Sequence, residues 1–160
     1  MGFGIWDLGF GMLSESARAS SAAEARFRIA GGAAVARQIK VVALDPASDR
    51  LVSALGREDW RAVSFFTSAD AAAGGRLIPN VAPGDLVVMV AAVGAAVPAA
   101  ALVGRACSDR RVPTATFVVR PPSASDAALS KTLAQVRPWS LMLLILSDPT
   151  YVEDILRSFR

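Results

Sequence analysis

The sequence predicts an α/β fold, a three-layer sandwich with a mostly parallel sheet of about five strands. Three observations lead to this prediction. Short apolar runs alternate along the chain with segments of helical pattern, as in successive β-α-β units. Most of these runs are continuously apolar, as expected for strands that are covered on both faces of a sheet. The length of 160 residues fits one domain, so residues 1–160 are expected to form a single domain.

The N-terminal part of the chain is apolar at first and then alanine-rich. Residues 1–13 carry many large apolar side chains, together with Asp7 and no basic residue, so they do not have the pattern of a secretory signal. Because these apolar side chains need burial, residues 1–13 are expected to form an edge strand or a segment docked on a partner subunit. Residues 14–38 are helical in composition, with a break expected at Gly31 and Gly32.

Five apolar runs predict the strands. Residues 85–93 form the clearest run, and the other four lie at residues 40–45, 61–67, 114–120 and 140–147. Each run is short and is followed by turn-forming or helical sequence, which is typical of buried strands in α/β proteins. Right-handed crossovers between them would place helices on both faces of the sheet.

Helices are predicted between and after these strands, at residues 47–55, 97–108, 125–135 and 149–159. Pro98 falls in the first turn of the second of these helices, where proline is favoured. Ser125 is a suitable N-cap for the third. The last helix has apolar residues at spacings that define one amphipathic face.

Composition excludes several classes of protein. Hydrophobic residues make up 53% of the chain and charged residues 19%, which excludes a disordered chain. The chain has no histidine and one cysteine, Cys107. Disulfide frameworks, cysteine zinc sites and histidine-dependent hydrolases are therefore excluded. Cys107 lies on an apolar helix and is expected in the core. We expect no metal ion, no cofactor and no assignable catalytic residue.

Charge and hydropathy argue against nucleic-acid and membrane partners. The net charge is +3, but the basic residues are scattered and form no stripe. The longest near-apolar stretch, residues 85–102, contains Gly94 and Pro98 and fits a strand followed by a helix better than a membrane span. A cytoplasmic protein is the default expectation.

Loops after the strands are the place to look for a ligand, because open parallel sheets bind ligands beyond the carboxyl ends of their strands. The loop at residues 91–97 contains one glycine and no Ser, Thr, Lys or Arg, so a phosphate there would meet backbone amides alone. Five residues of these loops are the candidate ligand contacts: Ser48, Thr67, Ser68, Gly94 and Arg120.

Acidic residues cluster in sequence near the end of the first predicted strand, namely Asp45, Asp49, Glu58 and Asp59. Paired carboxylates can transfer protons or hold Mg²⁺. However, Asp45 precedes Pro46, so a role in a turn or a helix cap is the simpler explanation. Both interpretations remain open from the sequence.

Residues 81–94, Val-Ala-Pro-Gly-Asp-Leu-Val-Val-Met-Val-Ala-Ala-Val-Gly, resemble the sugar isomerase (SIS) domain, in the branch of the phosphoheptose isomerases. In that family a Pro-Gly-Asp turn starts a buried strand that ends in a Ser-x-Ser-Gly-x-Thr phosphate loop. Residues 43–55 and 20–25 are also similar to segments of that domain. The resemblance implies an SIS-like scaffold, a homo-oligomer or partner subunit, and a phosphorylated small molecule as a possible ligand.

The phosphate-loop hydroxyls of that family fall on Ala91, Val93 and Ala96, and Gly94 alone is retained. A second resemblance is to the nucleotide-binding domain of tubulin-like cell-division GTPases. In that family the corresponding loop is a glycine- and threonine-rich phosphate binder, whereas here it consists of alanine and valine. The second resemblance rests on the order of Gly31 and Gly32 and of residues 41–45, 67–75, 85–98, 118–122 and 143–148.

Three functions follow as expectations. The first is a non-catalytic SIS-like subunit that acts in binding, regulation or assembly of a larger complex, because the expected phosphate loop is apolar. The second is a sugar-phosphate isomerase or sugar-phosphate sensor, with Asp45 or Glu58 available for proton transfer. The third is a degenerate tubulin-like nucleotide-binding protein.

Overall fold

A computed structural model describes residues 37–159. Its strands are β1 (Ile39–Ala43), β2 (Val63–Phe66), β3 (Leu86–Ala92), β4 (Thr114–Val119) and β5 (Met142–Leu146). All neighbouring strands are parallel, and their order across the sheet is β2-β1-β3-β4-β5. The predicted α/β fold and parallel sheet are confirmed.

Helices cover both faces of this sheet. They are α1 (Pro46–Leu55), α2 (Ser68–Ala71), α3 (Leu77–Asn80), α4 (Ala99–Asp109), α5 (Asp126–Val136) and α6 (Thr150–Ser158), with a 3₁₀ turn at Arg137–Trp139. Side chains of α1 and α6 belong to one core cluster, and those of α2 to α5 belong to the other. The result is the predicted three-layer arrangement.

The central strand β3 shows why its sequence is continuously apolar. Side chains of a strand alternate between its two faces. Val87 and Met89 pack in the cluster with α4 and α5, whereas Val88 and Val90 pack in the cluster with α1 and α6. All four are fully buried, so neither face of this strand can accept a polar side chain.

Predicted and observed elements agree closely, with one correction to a helix start. Pro98 is the residue before α4 rather than part of its first turn. Ser125 caps α5 as predicted, since its Oγ accepts a hydrogen bond of 3.2 Å from the Ala128 amide. Helices α2 and α3 were not predicted, because a four-residue helix is too short to show a periodic apolar pattern.

Strand β2 begins two residues later than its apolar run. The backbone of Ala62 has a φ of 61°, a left-handed conformation that a strand cannot include. The Ala62 carbonyl accepts a hydrogen bond of 2.8 Å from the Ile39 amide. Residues 61 and 62 therefore turn the chain into the sheet edge instead of extending β2.

Two predictions fall on the N-terminal part of the chain. The apolar segment at residues 1–13 lies outside the described residues, as does the predicted helix up to residue 36 with its break at Gly31 and Gly32. Residues 37 and 38, predicted as the end of that helix, form no regular element before β1. Within residues 37–159, every helix is too short or too polar to cross a bilayer.

Candidate functional site

The order of the strands creates one crevice where a ligand would be expected. The chain leaves β1 toward β2 on one side and returns to form β3 on the other side of β1. The loops that follow β1 and β3 therefore diverge, and in sheets of this order the ligand site lies between them. The candidate site is defined here as the carboxyl edge of β1 and β3, with the first turn of α1.

The carboxylate of Asp45 fills this crevice. Asp45 is 1% exposed, and it accepts hydrogen bonds from the Ser48 amide (2.9 Å) and the Ser48 hydroxyl (2.8 Å). It also accepts one of 2.8 Å from the Ala92 amide at the end of β3. Asp45 is therefore the N-cap of α1 and joins the two loops, which confirms the cap interpretation.

The loop after β3 makes a tight turn like that of a phosphate-binding loop. Several of its amides, however, are not free to bind an anion. Gly94 has a φ of 90°, which favours glycine. Its amide donates to Thr132 Oγ1 (2.9 Å), and the Val97 amide donates to Gln135 Oε1 (2.9 Å). The Val93 amide donates to the Val119 carbonyl at 3.2 Å. The amides of Val93, Gly94 and Val97 are thus bonded within the chain.

Thr132 and Gln135 were not identified from the sequence. Both lie on α5, three residues apart, so they project from the same side of the helix. Thr132 is fully buried, and its hydroxyl also donates to the Ala128 carbonyl (3.2 Å). Each contacts the loop across 38 positions of sequence, and no local motif marks such a contact.

Thr67 and Ser68 follow β2 and bind two carboxylates. The amide and hydroxyl of Ser68 donate to Asp49 of α1 at 2.6 and 2.7 Å. The amide and hydroxyl of Thr67 donate to Asp70 at 2.9 and 3.1 Å. Arg76 donates two further hydrogen bonds to Asp70 (2.8 and 3.0 Å).

Arg76 and the Thr67 amide together lower the pKa of Asp70 to about 2. A hydrogen bond stabilises the charged form of the carboxylate that accepts it, and the nearby positive charge of Arg76 acts in the same direction. Asp70 therefore holds the loop after β2 in place and is not available as a proton donor at neutral pH.

Arg120, at the end of β4, is also engaged within the chain. Its Nη2 donates to Asp126 (2.7 Å) and to the Ala124 carbonyl (3.2 Å), which fixes the loop before α5. All five candidate ligand contacts lie in loops or helix starts at the carboxyl edge of the sheet. Each donates a hydrogen bond to a protein oxygen. Their assignment to ligand binding stays a prediction.

The structure does not bring the residues of the predicted acidic cluster together in one place. Asp45 and Asp49 lie at the start of α1, whereas Glu58 follows its end and pairs with Arg157 of α6 (2.7 Å). Between residues 37 and 159, no group of three or more His, Cys, Asp or Glu side chains is placed to hold a metal ion.

Cys107 lies in the core, as predicted. It is 1% exposed on α4, and burial raises the pKa of its thiol to about 11. A thiolate is the reactive form of cysteine. Cys107 is therefore a core side chain and not a nucleophile at neutral pH.

A cavity of about 410 Å³ lies beside the candidate site, between the first turns of α1 and the residue before α6. Its walls include Leu51, Ala92, Val119 and Pro149, and Arg50 is its one charged lining residue. Ser48 also lines this cavity, but its hydroxyl donates to Asp45. The cavity is therefore largely apolar.

The chain matches no protein-family model and no curated protein. The chemistry of the candidate site therefore has to be judged from its own geometry.

Proposed function

We propose that this chain is a non-catalytic α/β subunit, on an SIS-like scaffold, that acts by binding protein in the regulation or assembly of a larger complex. One observation carries the proposal. The amides of Ala92, Gly94 and Val97, which line the expected ligand crevice, are bonded to Asp45, Thr132 and Gln135. An anion would have to displace these partners.

The energetic cost of that displacement disfavours phosphate binding. Breaking a buried hydrogen bond without replacing it costs about 1–3 kcal/mol. A phosphate could replace the partners of Gly94 and Val97, but it would leave the oxygen of the buried Thr132 or of the half-buried Gln135 without a donor. It would also approach the Asp45 carboxylate, and two like charges at short range repel each other.

The residues suggested for proton transfer are engaged as well. Asp45 is 1% exposed and accepts three hydrogen bonds from protein groups, so its carboxylate is held in place as a helix cap. Glu58 is bound to Arg157 at the far end of α1. The sequence contains no histidine. These observations support a binding role over an aldose–ketose isomerase.

A thermal-shift titration tests the proposal. The full-length protein is heated with inorganic phosphate, fructose 6-phosphate or GTP, each at millimolar concentration. A compound present at 100 times its dissociation constant stabilises the folded state by about 2.7 kcal/mol. We expect no shift with any of the three.

Variants of the loop after β3 make the test specific. Thr132→Val removes the acceptor of the Gly94 amide, and Ser130→Ala on the exposed side of α5 is its control. We expect the Thr132→Val protein alone to gain a shift with phosphate. A shift of the wild-type protein with fructose 6-phosphate that Gly94→Asp abolishes would overturn the proposal.

A second candidate function is a small-molecule sensor, and the cavity of about 410 Å³ beside α1 favours it. Arg50 is exposed and lines this cavity, so it could pair with one anionic group of a largely apolar compound. Such a compound would bind beside the crevice rather than in it. Loss of a wild-type thermal shift in Arg50→Ala, with the shift retained in Gly94→Asp, would select this function.

A further inference from the structure

The two edge strands of the described sheet differ in how well they are covered. In β2, Val63 and Phe65 are half-buried and Phe66 is buried. In β5, Met142 is 38% exposed and Ile145 is 47% exposed, and Leu141 just before it is 81% exposed. The edge formed by β5 therefore carries unusually exposed apolar side chains.

These apolar side chains project from both faces of β5. Leu143 packs against the core beneath α4 and α5, and Leu144 packs against the core beneath α1 and α6. By the alternation along a strand, Ile145 shares the face of Leu143, and Met142 shares the face of Leu144. Neither helix layer extends far enough to cover them.

The backbone of β5 is paired on one side alone within the described sheet. In a parallel ladder, alternate residues of a strand bond to its neighbour, and the others direct their N–H and C=O groups outward. The Arg120 amide donates to the Leu146 carbonyl (2.8 Å), and Leu146 is paired with Val119 of β4. Met142, Leu144 and Leu146 therefore bond to β4, and Leu143 and Ile145 belong to the outward set. A strand can satisfy these groups and cover both apolar faces together.

No device that protects natural sheet edges is present in β5. Residues 140–147 contain no charged residue, proline or glycine, although charges and prolines are the usual means of preventing edge-to-edge pairing. A partner strand should accordingly be apolar and uncharged along its length, and β5 itself has this composition.

We propose that β5 pairs with β5 of a second copy of this chain, in antiparallel orientation, so that the sheets of the two copies become continuous. This pairing specifies the partner and the surface of the proposed binding function. The inference of the pairing rests on that proposed function. The contact has twofold symmetry and uses the same edge of both copies, so it closes as a dimer and does not propagate.

Charges at the ends of the strand favour the antiparallel orientation. Arg137 precedes β5, is exposed, and forms no ion pair with any residue between 37 and 159. Asp148 follows β5 and is exposed; the Thr150 amide and hydroxyl bind it at 2.8 and 2.7 Å. A twofold axis near Leu143 brings the Arg137 end of one copy to the Asp148 end of the other. Parallel pairing would bring like charges together.

Pairing of one short strand buries less area than a standard protein interface of about 1,600 Å². The expected dissociation constant is therefore in the micromolar range. Sedimentation velocity on the full chain from about 1 to 200 µM covers that range. We expect a reversible monomer–dimer equilibrium.

Lysine substitutions on the two edge strands test the surface. Ile145→Lys and Met142→Lys place a charge on exposed positions of β5 that the monomer tolerates. Each should raise the dissociation constant at least about tenfold. Ser64→Lys on β2 is the matched control and should leave it unchanged. Circular dichroism shows whether each variant is folded.

Charge reversal tests the orientation. Arg137→Glu should weaken the dimer about fivefold, because two symmetry-related pairs become repulsive. Asp148→Arg should also weaken it, but this change removes the contacts with Thr150 as well. The double variant Arg137→Glu/Asp148→Arg should restore most of the affinity. If Asp148→Arg acted only locally on α6, the double variant would not recover affinity.

Hydrogen exchange identifies the strand directly. The amides of Leu143 and Ile145 should exchange more slowly as the protein concentration rises. A monomer at about 200 µM would overturn the proposal, as would larger assemblies, or a dimer that Ile145→Lys leaves intact. Protection of these amides in a monomer would also overturn it, because another part of the same chain would then cover β5.

The two proposals fail in different ways. A dimer that is stabilised by fructose 6-phosphate and loses that response in Gly94→Asp would overturn the proposed function and leave the β5 contact standing. A monomer that shows no thermal shift would overturn the β5 contact alone.

Discussion

At the scale of single residues, the aspartates of the carboxyl edge cap helices and form hydrogen bonds to neighbouring loops. Asp45 and Asp49 both belong to the start of α1, yet each also bonds a different loop, at Ala92 and at Ser68. Asp70 bonds the loop after β2 to Arg76. Carboxylates that satisfy backbone amides in this way stabilise the loops that carry them. These carboxylates therefore have a structural role.

Asp70 gives a prediction about acid stability. Its pKa in the folded protein is about 2, below the ordinary value of 3.8. The stabilisation is therefore complete above about pH 4 and is lost as the pH falls from about 4 toward 2. Since Arg76 is 75% exposed and solvent screens the pair, Asp70→Asn should lower the free energy of unfolding by about 1–2 kcal/mol at pH 7.

Urea denaturation at several pH values measures this effect. The difference between wild type and Asp70→Asn should shrink as the pH falls toward 2, because Asp70 becomes protonated over this range. Asp126→Asn is the control, because Asp126 is 91% exposed in its pair with Arg120, and its effect should be small. An Asp70→Asn effect that stays constant down to pH 2 would contradict the assignment.

At the scale of elements, the sequence predicts where strands lie along the chain better than it predicts what covers them in the folded protein. The runs that became β3 and β5 are equally apolar, and both were interpreted as strands covered on two faces. β3 is covered on both, but β5 exposes Met142 and Ile145. The pattern of apolar residues indicates which residues form a strand. It does not indicate whether the strand is central or at the edge of the sheet, because that depends on strand pairing between distant segments.

The candidate site shows the same limit. Its place at the carboxyl edge and the role of Gly94 as a turn followed from the order of strands and loops. The occupation of the loop amides by Thr132 and Gln135 did not, because those contacts join residues far apart in sequence. The alanines of the loop predicted that a phosphate would meet backbone amides alone, but they did not predict that side chains from α5 would bond two of those amides.

The end of α4 gives a prediction at the same scale. The Val112 amide donates to the Cys107 carbonyl (2.8 Å), and the Arg111 amide donates to the Ser108 carbonyl (3.0 Å). This is a Schellman motif, and its left-handed position is held by Arg111 with a φ of 55°. Glycine is favoured there, because a side chain in this conformation costs about 1 kcal/mol.

Arg111→Gly should therefore raise the free energy of unfolding by about 0.5 kcal/mol, the gain being reduced by the greater freedom of glycine in the unfolded chain. Arg110→Gly is the matched control, because Arg110 has a φ of −94° and glycine gains nothing there. It should lower stability by about 0.5–1 kcal/mol. Urea denaturation distinguishes the opposite signs. Destabilisation by Arg111→Gly would show that the Arg111 side chain makes a stabilising contact.

At the scale of the whole molecule, two core clusters are separated by one sheet, and the central strands belong to both. Val87 and Met89 on one face and Val88 and Val90 on the other are carried by the same strand. Loss of packing on one face therefore disturbs the strand that supports the other face. A molecule built in this way should unfold as one cooperative unit over residues 37–159.

Cys107 can report that cooperativity, because it is the one cysteine of the chain and lies in the cluster beneath α4. Burial blocks access to its sulfur, and the raised pKa of about 11 leaves little thiolate near neutral pH. In the native protein, labelling by a disulfide reagent should be at least about a thousandfold slower than in urea, since it has to await global opening. The labelling rate should rise with urea along the same slope as the unfolding equilibrium measured by circular dichroism. Rapid stoichiometric labelling without urea, or a rate independent of urea, would mean that α4 opens locally and that the two clusters do not unfold together.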